Sequence, residues 1–182
     1  MTTRNLDALF SPRAIALIGA SVEPGSVGEI VARNLLSGGF TGRIMLVNPR
    51  TTEVLGQPCY PSAAALPEAP DLAVIATPPR TVPGLIAELG AAGCRAAVVI
   101  TAGFTTDQKQ AMLDAARMHL MRIIGPNCLG FLSPVHGING SFSHMAPLKG
   151  RLALLSQSGA IATSIIDWAN GNGIGFSHLV SL

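Results

Sequence analysis

Two runs of small residues hold most of the chemistry this sequence offers. Gly19-Ala20-Ser21-Val22-Glu23-Pro24-Gly25-Ser26-Val27-Gly28 follows an apolar stretch at 14–18, and a helical pattern opens near Val27. Ser156-Gln157-Ser158-Gly159 follows a second apolar stretch at 151–155 and opens another helical pattern. Between strand and helix, such loops present free backbone N–H groups and hydroxyls at the positive end of a helix dipole. That suits a phosphate or another anion. Ser156 and Ser158 have a plainer alternative as helix caps.

Bond-making groups are scarce. Cys128 is a possible nucleophile, but no His–Asp set lies in reach by pattern, and buried free cysteine is common. His119, His136, His144 and His178 have no metal-ligand spacing, and Cys59, Cys94 and Cys128 contain no CxxC. No catalytic residue and no metal ligand is assigned. An odd number of cysteines, three, suits free thiols in a reducing cytosol, and a cytoplasmic location is expected.

The first loop departs from the dinucleotide fingerprint G-x-G-x-x-G in two places. Ser21 takes the second glycine position, and the second strand ends Val47-Asn48-Pro49-Arg50 with no acid for a ribose 2′-hydroxyl. Arg50 instead suits a phosphate on the ribose. NADP and coenzyme A both carry one. The alternative for Arg50 is an ordinary solvated charge. A side chain at Gly28 is expected to crowd the phosphates.

The elements that must position these residues repeat. Strands are expected at 14–19, 43–47, 71–76, 95–101 and 121–125, and helices at 27–37, 82–92 and 107–120. This alternation reads as α/β, a Rossmann-like doubly wound parallel sheet. Ligands then sit at the carboxyl ends of the strands. That selects residues 19–28, 48–50, 77–79, 101–104 and 125–128, with Thr77 and Pro78 among them. Residues 1–13 look like a lead-in, with Leu6, Leu9 and Phe10 covering the sheet edge. The stretch 131–149 loses periodicity and reads as a connection. A strand at 151–155, a helix at 160–169 with Ile161, Ile165 and Trp168 aligned, and a strand from 175 follow. The expected domains are therefore 1–145 and the truncated beginning of a second at 150–182.

With 48% apolar and 12% charged residues a well-buried core is expected, and a net charge of +2 gives no case for nucleic acid or a membrane surface.

A run of motifs in order carries a family resemblance: FSPR, IALIGAS with PGSVG, VNPR, DLAVIAT, AGF, MRIIGPNCLGFLSP, LALLSQSGAI and GIGFSHLVSL. Together they resemble the NDP-forming acyl-CoA synthetases, the superfamily of succinyl-CoA synthetase. The resemblance implies a CoA-binding Rossmann-like domain followed by the start of a flavodoxin-like domain. It implies that Gly25, Ser26, Val27 and Gly28 surround the CoA phosphates and that Arg50 stands near the place of a basic residue that contacts CoA. Gly19, Ser21, Asn48 and Pro49 are ligand-binding candidates from the strand ends. Ile100, Thr101 and Ala102 would line the pantetheine path, with Asn127 and Cys128 beside the thiol. Ser156, Gln157, Ser158 and Gly159 would form the loop that faces a phosphohistidine outside this chain.

The implied ligand is CoA or an acyl-CoA. ATP or ADP and Mg would bind other synthetase domains, in the same or another chain, and a homo-oligomer is possible. The segment 103–108 lacks a Glu that family members often carry. SFSHMAP and IIDWA resemble the acetyl-CoA-sensing part of bacterial protein lysine acetyltransferases. That sensor and an NADP-binding oxidoreductase domain are the alternatives.

Overall fold

The computed structural model describes residues 3–182. The lead-in forms a short helix, α1 (Leu6–Phe10), while its residues 1 and 2 lie outside the described part. In order there follow β1 (Ala14–Ile18), α2 (Val27–Ser37), β2 (Arg43–Val47), β3 (Glu53–Val54), β4 (Gln57–Tyr60), β5 (Leu72–Ile75), α3 (Val82–Ala91), β6 (Ala96–Val99), α4 (Thr106–Met118) and β7 (Arg122–Ile124). Then come β8 (Gly130–Ser133), β9 (Ile138–Ser141), β10 (Lys149–Ser156), α5 (Gly159–Gly171) and β11 (Phe176–Ser181).

The main sheet has seven strands in the order β3-β4-β2-β1-β5-β6-β7. All its pairings are parallel except β3 with β4. Counting only the parallel strands in chain order gives 3-2-1-4-5-6, the Rossmann order. The order reverses between β1 and β5, so their carboxyl ends frame the crevice. Both strands are buried throughout, as a sheet covered on two faces requires.

Alternate residues of the strands feed two cores. Ile15, Leu17, Leu72 and Val74 join Val31, Ala32 and Leu35 of α2, whereas Ala16, Ile18, Ala73 and Ile75 join Val82, Ile86 and Leu89 of α3 and Met112 of α4. Ala8 and Leu9 join the first core, so α1 covers a face and not the expected edge. The chain turns at Ser11 directly into β1, the middle strand, which leaves α1 over the sheet.

Residues 131–149 are not the irregular connection expected. They contain most of β8 and all of β9, in a four-stranded sheet of order β10-β11-β8-β9. β10 and β11 are parallel, while β8 is antiparallel to both β11 and β9. Four-residue strands rich in Gly, Ser and Asn have no readable alternation, and long-range partners define them. Phe131, Ile138 and Val180 from this sheet enter the first core. Phe10, Phe131, His136 and His178 form an aromatic cluster there. Phe10 meets His178 edge-on at 5.3 Å, and burial holds the His178 imidazole below its ordinary pKa.

α5 runs longer than expected and turns its other face inward. Ala162, Ile166 and Ala169 are buried, while Ile161 and Trp168 are 57% and 63% exposed. Ile166 and Ala169 pack with Leu132, Phe176 and Leu179, and Ile165 lies against the same cluster.

Candidate functional site

Ser26 caps α2, its Oγ accepting from the Glu29 N–H at 3.3 Å. The Glu29 carboxylate accepts from the Gly25 N–H and pairs with Arg33, whose hydrogen bond holds that carboxyl below the ordinary range. The loop is thus fixed from both sides of its turn, a variant of the capping box.

Gly28 serves packing. A Cβ there would lie 2.1 Å from the Gly19 carbonyl oxygen, so the first turn of α2 rests on the backbone that leaves β1. A side chain there clashes within the protein itself, apart from any effect on a phosphate. Gly19 itself has φ +97° and sits against Ala76 and Thr77, which closes the β1 loop onto the β5 loop.

Asn48 ties the β1 and β2 loops together. Its Nδ2 donates to the Ala20 carbonyl at 2.6 Å, and its Oδ1 accepts from the Arg50 N–H at 2.7 Å. On the far side, Thr101 Oγ1 donates to the Thr77 carbonyl at 2.7 Å, and the Asn127 N–H donates to the Thr101 carbonyl at 2.9 Å. One set of hydrogen bonds thus joins the loops after β1 and β2, and a second joins those after β5, β6 and β7.

Two adjoining clefts lie on this rim. The first, about 580 Å³, is lined by Gly19, Ser21, Ser26, Val27, Gly28, Asn48, Pro49, Arg50, Thr77 and Pro78 of the expected residues. The second, about 570 Å³, is lined by Val27, Thr77, Ile100, Thr101, Ala102, Asn127, Cys128, Gln157, Ser158 and Gly159. Val27, Ala76 and Thr77 belong to both and make the clefts neighbours.

Gly25 and Ser156 line neither cleft, against expectation. Gly25 is turned toward Glu29, and the Ser156 hydroxyl donates to the Ser158 carbonyl in a local turn. Ser158 caps α5 through Ile161 N–H and also faces the second cleft, so the capping and lining readings coexist.

Several lining residues escaped the sequence reading. Arg80 and Leu85 enter the first cleft beside Ser62 and Ala63, and Leu129 and Phe142 enter the second. Arg80 stands just beyond the Pro78-Pro79 turn, a signal one residue past the rim segment chosen. Phe142 gave no signal, because its stretch has no periodicity.

Cys128 is not an activated nucleophile. Its Sγ donates to the Val99 carbonyl at 3.4 Å, and burial pushes its thiol up to about 11. Burial also raises Cys94, to about 12, and Cys59. At about pH 8 an aromatic disulfide reagent is expected to titrate under about one thiol in the folded chain. All three cysteines should react in denaturant. Reaction of Cys128 in the folded chain at the denatured rate would restore the nucleophile reading.

A Rossmann-ordered sheet, a glycine loop at its switch point and two arginines on the rim of its first cleft define a nucleotide-binding α/β domain built for a phosphorylated ligand. The chain belongs to the CoA binding domain family, which matches residues 13–134. Residues 149–182 match the succinyl-CoA ligase like flavodoxin domain.

The chain is similar to acetate–CoA ligase [ADP-forming] I of Archaeoglobus fulgidus, 41% identical over 97% of this chain and 26% of that protein. It is 35% identical to the alpha subunit of acetate–CoA ligase [ADP-forming] I of Pyrococcus furiosus, over 98% of this chain and 41% of the relative. A solved dinucleotide forming acetyl-coenzyme A synthetase 1 of Ca. Korarchaeum cryptofilum superposes with a TM-score of 0.92 at 38% identity, covering 97% of this chain and 39% of that one. The chain therefore spans about a quarter to two fifths of the length of these proteins.

Proposed function

We propose that this chain is the CoA-binding part of an ADP-forming acyl-CoA ligase of the acetate–CoA ligase type. CoA lies across both clefts. Its phosphorylated nucleotide end takes the first, near Arg50 and Arg80, and its pantetheine arm passes Val27 and Thr77 into the second. The thioester then reaches Asn127, Cys128 and the N-terminus of α5. The observation that carries this reading is the shared wall of Val27, Ala76 and Thr77. It joins an arginine-bearing cleft to one with mixed apolar and hydroxyl lining.

The residues suit the ligand part by part. The first cleft offers the guanidinium groups of Arg50 and Arg80, the apolar surface of Leu85 and Ala63 for a base, and the Ser26-capped start of α2 for a pyrophosphate. The second offers Ile100 and Val27 to alkyl groups and Thr101 and Asn127 to amides.

In the whole protein the reaction interconverts acyl-CoA, ADP and phosphate with the free acid, CoA and ATP. A phosphorylated histidine would carry the phosphoryl group. That histidine, and the binding of ADP with Mg, belong to other domains in the same or another chain. The helix that Ser158 caps presents an N-terminus where a phosphoryl group would be received. The ligase names of the relatives favour this reading over the acetyltransferase-sensor and NADP readings.

Titration calorimetry of the chain with CoA, acetyl-CoA and NADP tests it. Binding of both CoA species and not of NADP is expected. Binding of NADP alone would overturn the assignment.

A further inference from the structure

The alternation of burial at the end of β9 runs against hydrophobicity. Ser141 and Ser143 are 0% and 2% exposed, while Phe142 between them is 37% exposed. Left to apolar burial alone, the phenylalanine would go in and the serines out. A specific set of hydrogen bonds holds the reverse. The Asn34 side-chain amide of α2 donates to the Ser141 carbonyl at 2.8 Å and to the Ser143 carbonyl at 2.9 Å, one on each side of Phe142. The Phe142 N–H donates to the Leu129 carbonyl at 3.2 Å, and the Ser141 hydroxyl donates to Asn139 Oδ1 at 2.7 Å.

The ring held out in this way lines the second cleft. Its backbone partner Leu129 also meets the start of α5, where a Cβ on Gly159 would lie 3.3 Å from the Leu129 Cβ. Phe142, Leu129 and the α5 N-terminus thus share one region of the cleft. Val27 and Thr77 mark the side shared with the nucleotide cleft. An aromatic ring exposed in a concave site is a wall for a ligand, and the bonds on both sides of Phe142 hold the backbone that carries it in place.

We infer that Phe142 limits the length of the acyl group the site accepts, its ring closing the part of the cleft into which the acyl chain extends. The inference rests on the reading that the thioester end of CoA occupies this cleft. A two-carbon acyl group fits short of the ring, while a longer chain must displace it against the Asn34 clamp. Methylene-sized differences in such pockets change affinity by about tenfold or more.

The test is calorimetry of the chain and two variants with CoA, acetyl-CoA and hexanoyl-CoA. The wild type is expected to bind hexanoyl-CoA at least about tenfold more weakly than acetyl-CoA. Phe142→Ala should bring that ratio near unity. Phe142→Trp should weaken acetyl-CoA relative to CoA by about threefold or more. Equal binding of acetyl-CoA and hexanoyl-CoA by the wild type would overturn the inference. An unchanged ratio in Phe142→Ala would do so too, as would losses equal for all three ligands in both variants. In each of those cases CoA binding by the wild type would still stand. Absence of CoA binding by the wild type would instead overturn the CoA reading and this inference with it.

Discussion

Gly28→Val is expected to cost the chain much of its stability, and with it the first cleft. Local propensity points the other way, because alanine is the better helix former of the two. Packing decides the sign. A Cβ at Gly28 would stand 2.1 Å from the Gly19 carbonyl oxygen, and both partners are backbone. Relief requires α2 to lift off the β1 loop or the loop to leave Ala76 and Thr77. Overpacking of this kind costs about 3 kcal/mol or more. Gly28→Ala should therefore already lower the denaturant midpoint, with Gly28→Val lower still and CoA binding lost. Gly25→Ala is the control. A Cβ there meets nothing within 4 Å, and only the φ of +77° opposes it, a cost of about 1 kcal/mol. A Gly28→Ala chain more stable than wild type would show that α2 does not rest on Gly19.

The second large effect is on ligand choice. Arg50→Ala should weaken CoA binding by about tenfold, while 3′-dephospho-CoA changes by less than about threefold. A charge-assisted hydrogen bond is worth about 1.5–3 kcal/mol. Arg50 is exposed at the rim, so solvent screening places it toward the low end of that range. Arg80 lies on the opposite side of the switch point and lines the same cleft. If both guanidinium groups grip one phosphate, Arg80→Ala repeats the pattern and the double variant loses less than the sum. Equal loss for both ligands on Arg50→Ala would take Arg50 off the ribose phosphate and leave it a solvated surface charge. A loss confined to Arg80→Ala would assign the phosphate to the residue the sequence did not single out.

Much of this molecule was legible in one dimension. The strands at 14–18, 72–75 and 96–99 are continuous apolar runs, those at 43–47 and 122–124 are apolar after an opening arginine, and their alternation with helices argues for a parallel sheet. Ser26 and Ser158 mark helix starts by residue type alone, so both anion-suited loops were visible. The identity of the rim also followed, because carboxyl ends of strands are defined by chain direction. Of the twenty candidate residues, drawn from the strand ends and from the family resemblance together, eighteen line one of the two clefts, the exceptions being Gly25 and Ser156.

What the sequence could not determine depends on partners far away in the chain. β8 and β9 are four residues each, with glycine and serine where a strand would show alternation, and their strand character comes from pairing with β11 and with each other. The alignment of Ile161, Ile165 and Trp168 did not show which face of α5 meets the sheet; Ile166 and Ala169 do, while Ile161 and Trp168 are exposed. Gly28 lines the first cleft as expected, but that the first turn of α2 also rests on Gly19 there is visible only in the fold. Phe142 lies 108 positions from Asn34, the residue whose amide brackets it. Local pattern records each residue's preference for water or core. Tertiary structure alone decides where a backbone clamp overrides that preference, and at Phe142 it keeps an aromatic ring in the cleft.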